Sequence, residues 1–265
     1  MNKKLIAGGC SFTLGNELSD DVDGKTYSKK SWAYRISDSM NMEYVCTATG
    51  GIGNQAIARR VFTALSQHTD VGGVIVMWSF LSRYDWAMPR HHALDQQRWA
   101  TISPWDTDAE AGNRDRAIAD SKWEKYWWEK RNKVLEDTGI KPFANTLYRH
   151  AANEYHETYL SWKSIIWLQN ILEKRQIPFV FTLADNSLFY HEQEAHKDKD
   201  PFMKALHDEI DFTKWFSFGE RMMGFNQWSL LEDYPRGTTH PLDNAHQDAV
   251  KLMLPTYEKI IGGEQ

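Results

Sequence analysis

The chain has 265 residues, 42% of them hydrophobic and 25% charged, the proportions of a soluble globular protein with room for a sizeable core. Its net charge of −5 argues against a nucleic-acid partner held by bulk electrostatics, and no apolar run approaches the ~20 residues that a membrane span needs. The opening Met1-Asn2-Lys3-Lys4 is basic, but glycine breaks the apolar run behind it, so no signal peptide is expected and the location reads as cytoplasmic. Cys10 and Cys46 read as free thiols of a reducing compartment.

The apolar run at 5–8 predicts a first strand, and it leads straight into Gly9-Cys10-Ser11-Phe12-Thr13-Leu14-Gly15. A serine held among glycines at a strand exit stands where an open α/β sheet presents chemistry. Trp32, Ile36 and Met40 then place one apolar stripe on a helix, and a second strand is expected at 42–47. Ala48-Thr49-Gly50-Gly51-Ile52-Gly53-Asn54 follows, a turn whose backbone N–H groups and Asn54 amide can approach a substrate oxygen. Ile57, Val61 and Leu65 give the next helical stripe. Residues 74–78 read as a third strand, ending in Trp78-Ser79-Phe80-Leu81-Ser82-Arg83.

Residues 86–150 break this rhythm and read as a Trp-rich insertion with its own helix at about 115–136. The longest helix is expected at 155–174, with a basic last turn, and a fourth strand at 177–183. Residues 185–235 read as irregular, and a closing helix at 245–261 carries Pro255 as an expected kink. Alternating strands and helices predict a three-layer α/β/α sandwich with a mostly parallel central sheet, in one domain over 1–265.

Four fragments carry the chemistry. Ser11 is a candidate nucleophile, and His240, in His240-Pro241-Leu242-Asp243-Asn244-Ala245-His246, is a candidate general base. Each also has a plainer reading, Ser11 as a helix N-cap and His240 as a loop histidine satisfied by its neighbours. Arg83 suits an anionic substrate group or an ordinary ion pair. The 12 tryptophans, Trp78 among them, suit a packed core or an aromatic wall for a sugar. Cys10 is a minor alternative nucleophile.

These fragments, in this order, resemble the blocks of the SGNH/GDSL hydrolase family over most of the chain. Gly9 to Gly15 is similar to the first block, Gly-Asp-Ser-x-Thr-x-Gly, so the resemblance makes Ser11 the nucleophile and its N–H an oxyanion donor. Gly51 matches the glycine of the second block, another donor, and His240 the base of the last. The chain departs from the pattern in three places. Cys10 replaces the Asp beside the nucleophile; the third block lacks its Asn, leaving Ser79 or Asn54 to substitute. The acid three residues before the histidine is Gly237, leaving Asp233 or Asp243 as possible orienting acids, or a Ser–His dyad. Gly-Cys-Ser-Phe-Thr is also similar to SGNH-like proteins of tailed bacteriophages, which implies a virion or host-cell setting. The resemblance implies a serine esterase, on our reading one that removes O-acyl groups from carbohydrate. The alternative is a non-catalytic binding or structural protein on the same fold.

No cofactor and no metal are expected. The histidines of His191-Glu192-Gln193-Glu194-Ala195-His196 are five apart, so on a helix they do not share a face, and His91 and His92 are adjacent. The glycines at 50–53 do not complete a nucleotide-binding fingerprint.

Overall fold

The computed structural model describes residues 3–22, 24–88, 99–108, 133–189 and 200–263. Its elements, in chain order, begin with β1 (Lys4–Gly8), α1 (Ser11–Leu14), α2 (Trp32–Ser39), β2 (Glu43–Cys46), α3 (Asn54–Gln67) and β3 (Val71–Trp78). There follow β4 (Tyr84–Ala87), β5 (Trp99–Ile102), α4 (Ile140–His150), α5 (Glu154–Lys174) and β6 (Phe179–Leu183). Last come α6 (Pro201–Asp208), α7 (Phe225–Leu231) and α8 (Asp243–Tyr257). They fall into two compact units, Met1–Leu81 with Thr158–Gln265, and Ser82–Glu157.

The first unit holds a parallel sheet in the order β2-β1-β3-β6. Leu5 to Ala7, Val74 to Trp78 and Phe179 to Leu183 are buried without alternation, so this sheet is covered on both faces. Two glycines identify the covers. A Cβ on Gly8 would stand 2.5 Å from Val61, so α3 lies directly on that face. Gly73 pairs with Leu5 and faces the other way; its Cβ would stand 2.5 Å from Ile261, in the π-helical turn Glu258–Gly262 that continues α8. Helix α5 joins α3, through Phe62 against Trp167 at 5.1 Å and Arg175 donating to the Leu65 carbonyl at 3.2 Å. Helix α2 joins α8, through Trp32 against Tyr257 at 6.3 Å. The result is the expected three-layer α/β/α arrangement.

The strand order places β2 and β3 on opposite sides of β1. Connections therefore diverge at the carboxyl ends of β1 and β3, and this is where such sheets bind ligands. Ser11 opens the helix that follows β1. Pro255 lies inside α8, and the helix passes into the π turn three residues later, where the Glu258 N–H is shared between the Leu254 and Pro255 carbonyls. The stretch read as irregular at 185–235 contains α6 and α7, both too short to show a clear apolar period in sequence.

The second unit is built on an antiparallel pair, β4 and β5, in register from Tyr84 opposite Ile102 to Ala87 opposite Trp99. Helix α4 closes it: the Tyr148 hydroxyl bonds the Ser82 carbonyl at 2.6 Å and the Ile102 carbonyl at 3.0 Å. Residues 133–137 are helical; the rest of the helix expected at 115–136, with Trp123, Trp127 and Trp128, lies outside the described residues. So do His91, His92 and the 191–196 histidine pair. No described helix is long and apolar enough to cross a membrane.

Candidate active site

Helix α1 begins one residue after the turn at Gly9-Cys10, with Cys10, not Ser11, as its N-cap. Ser11 is therefore the first helical residue. Its N–H donates to no group among the described residues, and its side chain is 9% exposed. Cys10 is fully buried in the core and offers no accessible thiol. The helix ends at once on Gly15 in the left-handed region (φ 87), whose N–H closes on the Ser11 carbonyl at 2.8 Å. Glu17 is left-handed too, at φ 67, a conformation that costs a non-glycine residue roughly 1 kcal/mol or more. The double reversal folds Glu17 back toward the far end of the chain.

That far end is a tight turn. Arg236 and Pro241 form an antiparallel bridge, and the Gly237 N–H donates to the His240 carbonyl at 2.9 Å. The Arg236 guanidinium braces it, donating to the Thr239 carbonyl at 2.6 Å and to the Asn226 side chain at 2.9 Å. His240 thereby brings Nε2 to 2.7 Å from Ser11 Oγ, across 229 residues of sequence. Its ring lies against Phe12 at 4.8 Å between centroids.

On the other edge of the ring, His240 Nδ1 stands 3.1 Å from Glu17 Oε1 and 2.8 Å from the Thr239 hydroxyl. The Glu17 carboxylate also accepts from the Thr239 hydroxyl at 2.9 Å and from the Thr239 and His240 N–H groups at 3.1 and 3.3 Å. Burial pushes the Glu17 pKa up, but these hydrogen bonds and the histidine outweigh it and hold the carboxyl below its usual value. The two acids suggested by sequence are elsewhere. Asp243 accepts from the Ser19 hydroxyl at 2.6 Å and the Lys30 ammonium at 2.8 Å, because as the first residue of α8 it faces the 19–30 loop. Asp233 is exposed, at φ 55 just beyond α7, and makes no bond to His240. Glu17 was missed because its partner lies 223 residues away; the one signal was an acid close behind the serine combined with a glycine at 237.

The loop after β2 runs beside the serine turn. The Thr47 and Thr49 N–H groups extend the ladder onto the Ala7 and Gly9 carbonyls at 2.9 and 3.3 Å. A Cβ on Gly50 would stand 3.3 Å from Asn16 Oδ1. Gly51 is exposed at φ 78, with open space where a Cβ would be, and makes no hydrogen bond among the described residues.

Asn54 and Ser79 do not supply oxyanion donors. Asn54 is buried, and its amide grips the end of β3, accepting from the Ser79 N–H at 2.7 Å and donating to the Ser79 carbonyl at 3.1 Å. Its remaining N–H goes to the Ser161 hydroxyl, also at 3.1 Å. Both Asn54 donors and the Ser79 N–H are thus committed. Asn54→Ala is expected to lower unfolding free energy by about 2–4 kcal/mol in urea titration, since it removes both buried bonds to the Ser79 backbone. Trp78 is likewise no binding wall. It is fully buried and packs edge-on against Phe181 at 5.2 Å. Arg83 belongs to the second unit and is half-buried. A cleft of about 250 Å³ is lined by Glu17, Ser19, Pro235, Leu242, Asp243 and Asn244, and neither Ser11 nor His240 contributes to it. No cluster of three or more metal-ligating side chains occurs among the described residues.

No known family model matches the chain, and no curated relative does. It is similar to the solved structure of an acetyl xylan esterase from the rumen bacterium Butyrivibrio proteoclasticus, with 11% identity and a TM-score of 0.44, over 97% of this chain and 63% of that one. A member of the lipolytic G-D-S-L family from Veillonella parvula gives 10% identity and a TM-score of 0.45, over 97% and 99%. A carbohydrate acetylesterase family member from Sinorhizobium meliloti gives 12% and 0.45, over 98% and 99%. The likeness is one of fold.

Proposed function

We propose that the protein is a serine ester hydrolase with Ser11 as nucleophile and His240 as general base. The observation that carries this reading is the 2.7 Å contact between His240 Nε2 and Ser11 Oγ. A non-catalytic protein on this fold has no need of that contact. With Nδ1 protonated toward Glu17, Nε2 is left bare to accept the serine proton.

Ser11 Oγ attacks the acyl carbonyl carbon while its proton passes to Nε2. The oxyanion that forms is held by the N–H groups of Ser11 and Gly51. The C–O bond to the alcohol then breaks, and His240 returns the proton to the leaving oxygen. Water attacks the acyl-serine by the same route, releasing the acid and restoring Ser11. No metal or cofactor enters these steps. For the alcohol we propose a carbohydrate, on the tryptophan content of the chain, 12 residues with flat surfaces of the kind that sugar rings stack on.

A fluorophosphonate probe tests the nucleophile. The folded protein is expected to label at Ser11, and Ser11→Ala to abolish labelling. A folded wild type that fails to label, or a Ser11→Ala variant that still does, overturns the reading. O-acetylated oligosaccharides set against simple aryl acetates then test the alcohol.

A further inference from the structure

The last block carries glycine at 237, and the backbone there does not require it: Gly237 is not in the left-handed region. What requires it is Glu17. A Cβ on residue 237 would stand 2.1 Å from Glu17 Oε2, and the next two nearest atoms are also Glu17's, Cδ at 3.1 Å and Cβ at 3.2 Å. The space that a side chain three residues before His240 would fill is already occupied by a carboxylate from the opposite end of the chain. That carboxylate faces His240 Nδ1 at 3.1 Å.

We propose that Glu17 is the orienting carboxylate of the Ser11–His240 pair, delivered by the left-handed turn after the nucleophile helix into the gap that Gly237 leaves. The proposal rests on the hydrolase reading above and adds to it a positioning residue at an unexpected place in the chain. Glu17 accepts the Nδ1 proton, which fixes the tautomer with Nε2 toward Ser11. It stays ionised when His240 becomes an imidazolium and so stabilises that cation. Two further features single out Glu17 from the other carboxylates. It is held by four donors on the histidine turn, namely the Thr239 hydroxyl, the Thr239 N–H, the His240 N–H and the ring itself. Its backbone also sits in a conformation that glycine would adopt more readily.

A purely structural role, anchoring the turn, is the competing explanation, and moving the carboxylate separates the two. Three variants of the full chain suffice: Glu17→Gln, Glu17→Gly, and Glu17→Gly combined with Gly237→Asp. Glycine at 17 suits φ 67 and clears the space at 237. The readouts are kcat and KM on p-nitrophenyl acetate, and the ¹⁵N signals of the His240 ring. In the wild type the ring is expected to carry its proton on Nδ1. Glu17→Gln and Glu17→Gly are expected to lose about 100-fold or more in kcat with KM little changed, and Glu17→Gly to mix the ring tautomers. The double variant is expected to restore the Nδ1–H tautomer and recover about tenfold or more of the lost kcat.

Glu17→Gln turning over within about threefold of wild type overturns the proposal. So does a ring protonated on Nε2 in the wild type, or a tautomer unchanged in Glu17→Gly. If the double variant fails to fold, Glu17→Gln alone decides. If the wild type shows no esterase activity at all, the hydrolase reading falls, and the ring spectra still decide whether Glu17 orients His240.

Discussion

His240→Ala is expected to lower ester turnover by about three to four orders of magnitude while the protein stays folded. The serine hydroxyl is a poor nucleophile without a base, and Nε2 at 2.7 Å is the nitrogen in reach. Activity should not vanish, because on the proposed mechanism the Ser11 and Gly51 N–H groups still hold the oxyanion. The ring is 12% exposed and packs against Phe12, so its loss should cost about 1–2 kcal/mol of stability. Turnover of p-nitrophenyl acetate, measured beside a thermal melt, checks both halves. A fall in turnover of less than tenfold in a folded variant would rule out His240 as the base.

The second large effect is loss of stability in acid, and it comes from the other histidine of the last block. His246 is fully buried against Phe225, and its Nδ1 accepts the Trp32 backbone N–H at 3.1 Å, an orphan donor at the start of α2. Burial above all, and then the charge of His240, push its pKa down from 6.5 to about 3. The unfolded chain therefore binds this proton more readily than the folded one. The stabilisation is complete above pH 6.5 and drains away as pH falls toward 3; at 1.36 kcal/mol per unit it is on the order of 5 kcal/mol. Asp243 extends the trend lower: burial raises its pKa, but the bonds from Lys30 and Ser19 outweigh this and hold it at about 2, so its contribution is lost below pH 4. Urea unfolding between pH 7.5 and 4 should show the midpoint falling steeply in wild type and much less in His246→Gln, where an acceptor remains but cannot titrate. Parallel curves for the two proteins would exclude His246 as the source.

The sequence reveals the sheet because β1, β3 and β6 are buried on both faces and read as unbroken apolar runs. It also points to Ser11 and His240, which stand 2.7 Å apart, since each sits at a strand exit or helix entrance marked by glycine or proline. It hides what depends on distant pairing. Asn54 looks like a donor for substrate, but Ser79 and Ser161 absorb its amide. Trp78, at a strand end, turns inward onto Phe181, and the choice between core and cleft is made by neighbours more than 100 residues away. His246 shares a short motif with His240 yet serves α2, because six residues that include the first turn of a helix separate their directions. Asp243 fails as the acid for the same reason.

The Asn54 clamp also gives the two halves of the site different anchors. Through it the Gly-rich loop is tied at one end to β3, and through Thr49 at the other to Gly9, so the 49–53 loop and the serine turn share one frame with the sheet. The base is framed separately. His240 rides on a turn that closes on itself, through the Arg236–Pro241 bridge and the Gly237 N–H, with the side chains of Glu17 and Arg236 on either side. On the proposed mechanism, the loop that carries the Gly51 donor is thus braced by the sheet, and the proton relay by its own turn.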